Sequence, residues 1–164
     1  MNDPIRILLV DDSPYFLEAA QIFLRYHNMI KLVDTASDSE EALAKAQALK
    51  PDLILLDLNL GNRSGLDLIP LFREHLPQTR IIVLSIMFED AYRIAAMQAG
   101  ADAFVPKNSM NTDLVPTILE LLKPSSDGKP PDKSPGGDQP ESQKNPATQT
   151  PSSPNKLSRF ETAV

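Results

Sequence analysis

Cysteine is absent from the 164-residue chain, which excludes disulfide scaffolds and thiolate metal sites and fits a reducing compartment. Long apolar runs are missing as well: none approaches the ~20 residues that a membrane-spanning helix needs. The opening residues, Met1-Asn2-Asp3-Pro4, lack the basic stretch of a signal peptide. Positive charge is in short supply too. The formal net charge is −6, whereas contacts to nucleic-acid phosphates require clustered Lys and Arg. These absences leave an acidic, soluble, cytoplasmic domain as the expectation, with no membrane and no direct nucleic-acid partner.

What is present divides in two. The length suits one domain with a proper core and not comfortably two. After Lys123 the composition changes abruptly to PSSDGKPPDKSPGGDQPESQKNPATQTPSSPNK, dense in Pro, Ser, Gly and charges of both signs. A segment without apolar periodicity cannot bury enough surface to offset its ordering entropy. The expectation is therefore a globular domain over 1–123 and a disordered Pro/Ser-rich tail over 124–164. A flexible chain of about 40 residues spans roughly 35 Å on average, enough to tether a partner. The terminal Glu161-Thr162-Ala163-Val164 resembles a peptide that adds to a PDZ-type groove, a short pattern that also recurs by chance.

Within 1–123, apolar runs alternate with helical periodicity. Ile5–Val10 predicts a strand, followed by Ser13-Pro14 as helix cap and first-turn proline, with Phe16, Leu17, Ala20, Phe23 and Leu24 on one face. Met29–Ala36 predicts a second strand. Ser37-Asp38-Ser39-Glu40 resembles a capping box before Ala42, Leu43, Ala46 and Leu49. Asp52–Leu56 and Arg80–Leu84 are further strands, and Ala103–Val105 a fifth. Helices are expected over Ser64–Leu76, over Glu89–Ala99 (ended by Gly100) and over Asn108–Lys123. Pro70 should kink its helix or restrict the regular part, and Pro116 is tolerable only near a first turn. Five strands alternating with five helices indicate an α/β fold with a doubly wound parallel sheet.

In such a sheet the functional crevice lies beyond the carboxyl ends of the strands. Asp11, Asp12, Asp57, Ser85 and Lys107 all fall at or just after such ends. Clustered carboxylates repel one another unless a cation compensates them, and Mg²⁺, a hard ion that seeks oxygen and keeps several waters, suits them. Asp57 is then a candidate nucleophile toward a phosphoryl donor, with Mg²⁺ and Lys107 neutralising the transferring group. A Ser85 hydroxyl bonded to the acquired phosphoryl group would bias a two-state loop.

The segments ILLVDDSP, PDLILLDLNL with Ser64-Gly65 beyond it, IIVLS and AGADAFVPK, in this order and spacing, resemble the receiver domain of two-component response regulators over about residues 4–122. ASDSEEAL and AGADAFVPK look most like receivers that carry a helix-turn-helix output domain. The resemblance implies a flavodoxin-like strand order, 2-1-3-4-5, and a phosphoryl group passed to Asp57 from a histidine kinase or histidine phosphotransfer protein. It implies Asp12 as a direct Mg²⁺ ligand, Asp11 as a partner acting partly through water, and the Asn59 backbone carbonyl as a further ligand. Ser85 would be the switch hydroxyl, Lys107 the phosphoryl contact, and Phe104 the aromatic whose rotamer reports the state. Two departures stand out. Leu60-Gly61 replaces a Met-Pro-like pair and should loosen that loop, and Pro106 precedes Lys107 where many receivers have a proline after the lysine. Asn59 and Met87 occupy positions that vary in the family and tune the lifetime of the phosphorylated state.

Plainer readings stand beside these. Asp11 and Asp12 alone would merely cap a helix, and it is their combination with Asp57 and Lys107 that favours a metal. Ser85 alone would satisfy nearby backbone, and Phe104 alone would be core. The competing functions are a phosphate-independent interaction module, a piece of a DNA-binding regulator, and a haloacid dehalogenase-type hydrolase. The last wants an acid two residues after its nucleophile; Asn59 stands there and cannot titrate. Turnover of an external substrate is not expected.

Overall fold

The structure, a computed structural model, describes residues 3–123 apart from 62 and 88. The tail expected over 124–164, with Glu161–Val164, lies outside the described residues. Strand β1 (Ile5–Val10) leads into α1 (Pro14–Arg25), followed by β2 (Ile30–Ala36), α2 (Ser39–Leu49) and β3 (Leu53–Leu56). A small antiparallel hairpin pairs Asn59–Leu60 with Arg63–Ser64. Then come α3 (Gly65–His75), β4 (Arg80–Ser85), α4 (Asp90–Ala99), β5 (Ala103–Pro106), a 3₁₀ turn (Lys107–Ser109) and α5 (Met110–Leu121). The five strands are parallel and lie in the order 2-1-3-4-5, as expected. No helix among the described residues is long and apolar enough to cross a membrane.

Strand periodicity builds the two-sided core. On β1, Leu8 and Val10 face one layer while Ile7 and Leu9 face the other, and on β3 the same split separates Ile54 and Leu56 from Leu53 and Leu55. The first set packs with Ala42 and Ala46 of α2, Ile69 and Phe72 of α3 and Ala96 of α4. The second packs with Ala20 and Leu24 of α1 and with Leu114 and Ile118 of α5. Helices thus cover both faces, and the central strands are apolar on both sides because neither side meets water.

Local chemistry sets the ends. The Ser13 hydroxyl accepts the Phe16 N–H at 3.3 Å, and Pro14 opens α1. The expected capping box at α2 is realised one residue later than Ser37: Asp38 accepts the Glu40 and Glu41 N–H groups, and Glu41 reaches back to the Ser37 N–H at 2.8 Å. The last helix departs from expectation. The Ser109 backbone (φ −107, ψ 10) leaves the helical region, so a 3₁₀ turn precedes α5. Pro116 is the seventh residue of α5, not a first-turn residue. It lies on the exposed side, where the Thr112 carbonyl deprived of its donor can face water. The Thr117 hydroxyl bonds the Asp113 carbonyl at 2.7 Å beside it. Pro70, within α3, is likewise exposed and the helix runs through it.

Opposite the strands' carboxyl ends, Arg73 ties α3 to the sheet. Its guanidinium donates to the Gly100 carbonyl at 2.8 Å, to the Thr79 carbonyl at 2.6 Å and to the Asp102 carboxylate. Asp102 also accepts the Ile81 N–H at 2.8 Å and pairs with Arg80 at 3.0 Å. Arg73→Met would keep the aliphatic stem and leave these carbonyls without a donor. It should cost about 2 kcal/mol, read as a lower urea midpoint with an unchanged slope.

Candidate functional site

Backbone bonds carry the sheet register past the strand ends. The Asp11 N–H bonds the Ala36 carbonyl at 3.0 Å and the Asp57 N–H bonds the Val10 carbonyl at 2.9 Å. The two acids therefore emerge side by side from β1 and β3, whose last residues, Val10 and Leu56, are paired. Across β4, Ser85 is paired with Pro106 of β5, the residue before Lys107. The structure brings Asp11, Asp12, Asp57 and Lys107 into one cluster, and each acid offers a carboxylate oxygen within 4.8 Å of the others.

The electrostatics of this cluster are unbalanced. Asp11 is 1% exposed and Asp57 4%, whereas Asp12 is at the open rim. The Lys107 ammonium lies 2.9 Å from Asp57 Oδ2, as a hydrogen bond, and 2.6 Å from Asp11 Oδ2, as a close ion pair whose angles do not make a hydrogen bond. Asp57 Oδ1, also buried, has no hydrogen-bond partner among the described residues. Among the described residues, two buried carboxyl groups thus share one cation. Burial pushes the Asp11 carboxyl above its ordinary value of 3.8, against the opposing pull of Lys107 and of the Ser13 N–H that it accepts at 3.0 Å. Its sign follows directly: the contribution to stability is fully present below 3.8 and is lost as pH rises through the folded-state value. A divalent cation with oxygen preference fits this donor set, since it would supply the missing charge and a partner for the buried Asp11 Oδ2, which has no hydrogen bond among the described residues.

The remaining expected residues have distinct placements. Ser85 is buried, and its oxygen accepts the Met87 N–H at 3.1 Å. That is the plainer backbone-satisfying role, and it leaves the hydroxyl proton free to donate. Asn59 is exposed in the hairpin, opposite Ser64. Phe104 is half-buried, packs against the α2–α3–α4 layer and lines a groove of about 370 Å³ with Arg93, Ile94, Met97, Gln98 and Ala103. Leu60 pairs with Arg63 in the hairpin, and Gly61 follows at φ +64.

Two contributors escaped the sequence reading. Phe16, read as an ordinary core residue of α1, has its ring under the Lys107 ammonium, 4.2 Å from Nζ to the ring centroid. Gly65 opens α3 against the loop that follows β3: its N–H bonds the Leu58 carbonyl at 2.7 Å, and a Cβ there would meet the Asp57 carbonyl oxygen at 2.1 Å. The Ser64-Gly65 pair was visible, but a close approach of backbone to backbone has no periodic signature. Gly65→Ala must push α3 off residues 57–58 and should cost about 1–3 kcal/mol. Gly61→Ala meets only Asp12 Oδ2, at 3.9 Å, and should cost roughly 1 kcal/mol for its left-handed φ. Urea denaturation of the two variants checks the order; equal costs would remove the steric account of Gly65.

Comparison with known proteins identifies the family and agrees with the fold. The family model described as the response regulator receiver domain matches residues 7–119. The transcriptional regulatory protein MctR of Rhizobium johnstonii is 31% identical over 118 residues, 72% of this chain and 55% of that protein. The response regulator protein VraR of Staphylococcus aureus is 30% identical over 122 residues, 74% of this chain and 58% of that protein. The receiver structure of a putative NarL response regulator from Mycobacterium tuberculosis superposes with a TM-score of 0.68 at 30% identity, covering 73% of this chain and 97% of that one. The chain thus spans little more than half the length of the curated relatives it matches, and it belongs to the response regulator receiver domain family of two-component signalling.

Proposed function

We propose that this domain is a phosphorylation-dependent switch in which Asp57 takes a phosphoryl group from a phosphohistidine of a histidine kinase or histidine phosphotransfer protein. The observation that carries this reading is the asymmetry at Asp57: Oδ2 is held by Lys107 at 2.9 Å while the buried Oδ1 is unpartnered. An oxygen free of hydrogen bonds keeps its lone pairs available for attack on phosphorus. Attack by Oδ1 forms the O–P bond of an acyl phosphate as the donor's N–P bond breaks, and the electron pair leaves with the imidazole nitrogen. Lys107, 11% exposed at the side chain, keeps its positive charge beside the transferred oxygens, where exclusion of water strengthens it. Asp11, Asp12 and Asp57, joined by the Asn59 carbonyl, would hold Mg²⁺. When bound, Mg²⁺ supplies charge neutralisation on the phosphoryl oxygens.

The switch would follow from a contact that exists only after transfer. The Ser85 hydroxyl, with its proton free to donate, turns to an acquired phosphoryl oxygen and draws the segment after β4 toward the site. Phe104 then changes rotamer within its groove, and the surface made by α4, β5 and α5 presents a different face to a downstream protein. We place this protein in the cytoplasm as a signalling module, with no turnover of external substrate, since Asn59 stands where a hydrolase would keep its titrating acid.

Incubation with acetyl phosphate or with phosphorylated histidine kinases in Mg²⁺, read on a phosphate-affinity gel, tests the proposal. Wild type should be retarded, Asp57→Asn should not, and Lys107→Ala should be labelled roughly 10²-fold more slowly. Absence of a retarded wild-type band with every donor would overturn it. Partner binding and cellular output unaltered by Asp57→Asn would instead establish a phosphate-independent module.

A further inference from the structure

We propose that Phe16 is a positioning residue that holds the Lys107 ammonium over the phosphoacceptor through its ring face. The inference rests on the phosphoaccepting role of Asp57 proposed above. Among the described residues, the Lys107 ammonium meets Asp57 Oδ2 at 2.9 Å, Asp11 Oδ2 at 2.6 Å and the Phe16 ring at 4.2 Å. The two carboxylates change during the proposed reaction. Asp57 spends its charge when it forms an acyl phosphate, and Asp11 turns its charge toward a divalent cation once one is bound. Asp57 Oδ2 stays behind as the acyl carbonyl, a weaker neutral acceptor, whereas the negative face of the ring changes in neither event, so it is the one hold of the three left unaltered between the resting and the phosphorylated state.

The local structure makes that hold rigid. Phe16 is the third residue of α1, in the turn fixed by Pro14, and its N–H is bound by the Ser13 hydroxyl at 3.3 Å. The rest of the ring packs against the apolar layer formed by α1 and α5. Lysine carries its charge on a flexible four-carbon stem, and here the helix beside the acids, not the stem, defines where that charge stands. The ring also covers the ammonium on the α1 side, which keeps water from screening it.

The experiment follows acetyl phosphate labelling in Mg²⁺ on a phosphate-affinity gel, with folding of each variant checked by urea denaturation. Phe16→Leu keeps apolar bulk and removes the ring; it should slow labelling roughly five- to tenfold. Phe16→Tyr should restore the wild-type rate. Pentafluorophenylalanine at position 16 keeps the ring's shape and reverses its quadrupole, and it should behave like leucine. In a Lys107→Ala background, Phe16→Leu should have no further effect, because the interaction it removes is already gone. An unlabelled wild type would remove the phosphoaccepting role and this inference together. A labelled wild type with an unslowed Phe16→Leu, or one slowed equally with and without Lys107, would overturn the role of Phe16 alone.

Discussion

Two buried carboxylates beside a single ammonium set the terms for everything at the carboxyl edge of this sheet. Asp11 and Asp57 are almost fully removed from water, and Lys107 reaches both. A charge left unpaired in such a place is costly. The arrangement persists because each acid is anchored by the backbone: the sheet bonds from Asp11 and Asp57 into Ala36 and Val10 leave neither free to swing into solvent. The excess negative charge that results suits the divalent cation and the phosphoryl group of the proposed function.

The surrounding fold serves that constraint. Central strands apolar on both faces place the acids at the end of a rigid, dry sheet. Gly65 lets α3 begin in van der Waals contact with the Asp57–Leu58 backbone, so the loop that carries Asp57 is braced from behind. The 3₁₀ turn Lys107–Ser109 starts at the lysine itself and places the ammonium over the acids before α5 departs. At the opposite end, Arg73 and Asp102 bind α3 to β4 and to the turn before β5.

Much of this was legible before any coordinates. Continuous apolar runs ending in Asp11 and Asp57, and a third ending at Lys107, were enough to place one crevice, because a parallel sheet puts all strand ends on one rim. The capping serine, the helix ended by Gly100 and the strand order carried through as well. Three features did not. Pro116 misled because propensity treats a helix interior as uniform, whereas an exposed side lets the affected carbonyl reach water. Phe16 was hidden because a helical aromatic at core spacing looks the same whether its outer face meets a methyl or an ammonium. Gly65 was hidden because its close approach to the Asp57–Leu58 backbone depends on how α3 meets the strand end, which residue type and spacing do not record.

Calorimetric titration of Mg²⁺ into the unphosphorylated protein at several pH values addresses the central claim, that excess buried negative charge makes this a divalent-cation site. Because burial raises the Asp11 carboxyl above 3.8, a proton competes with the cation as pH falls. The account predicts one binding site whose affinity rises with pH, with protons released on binding near the raised value, and loss of both the affinity and the proton release in Asp11→Asn. No binding at millimolar Mg²⁺, or binding that Asp11→Asn and Asp12→Asn leave unchanged, would contradict it.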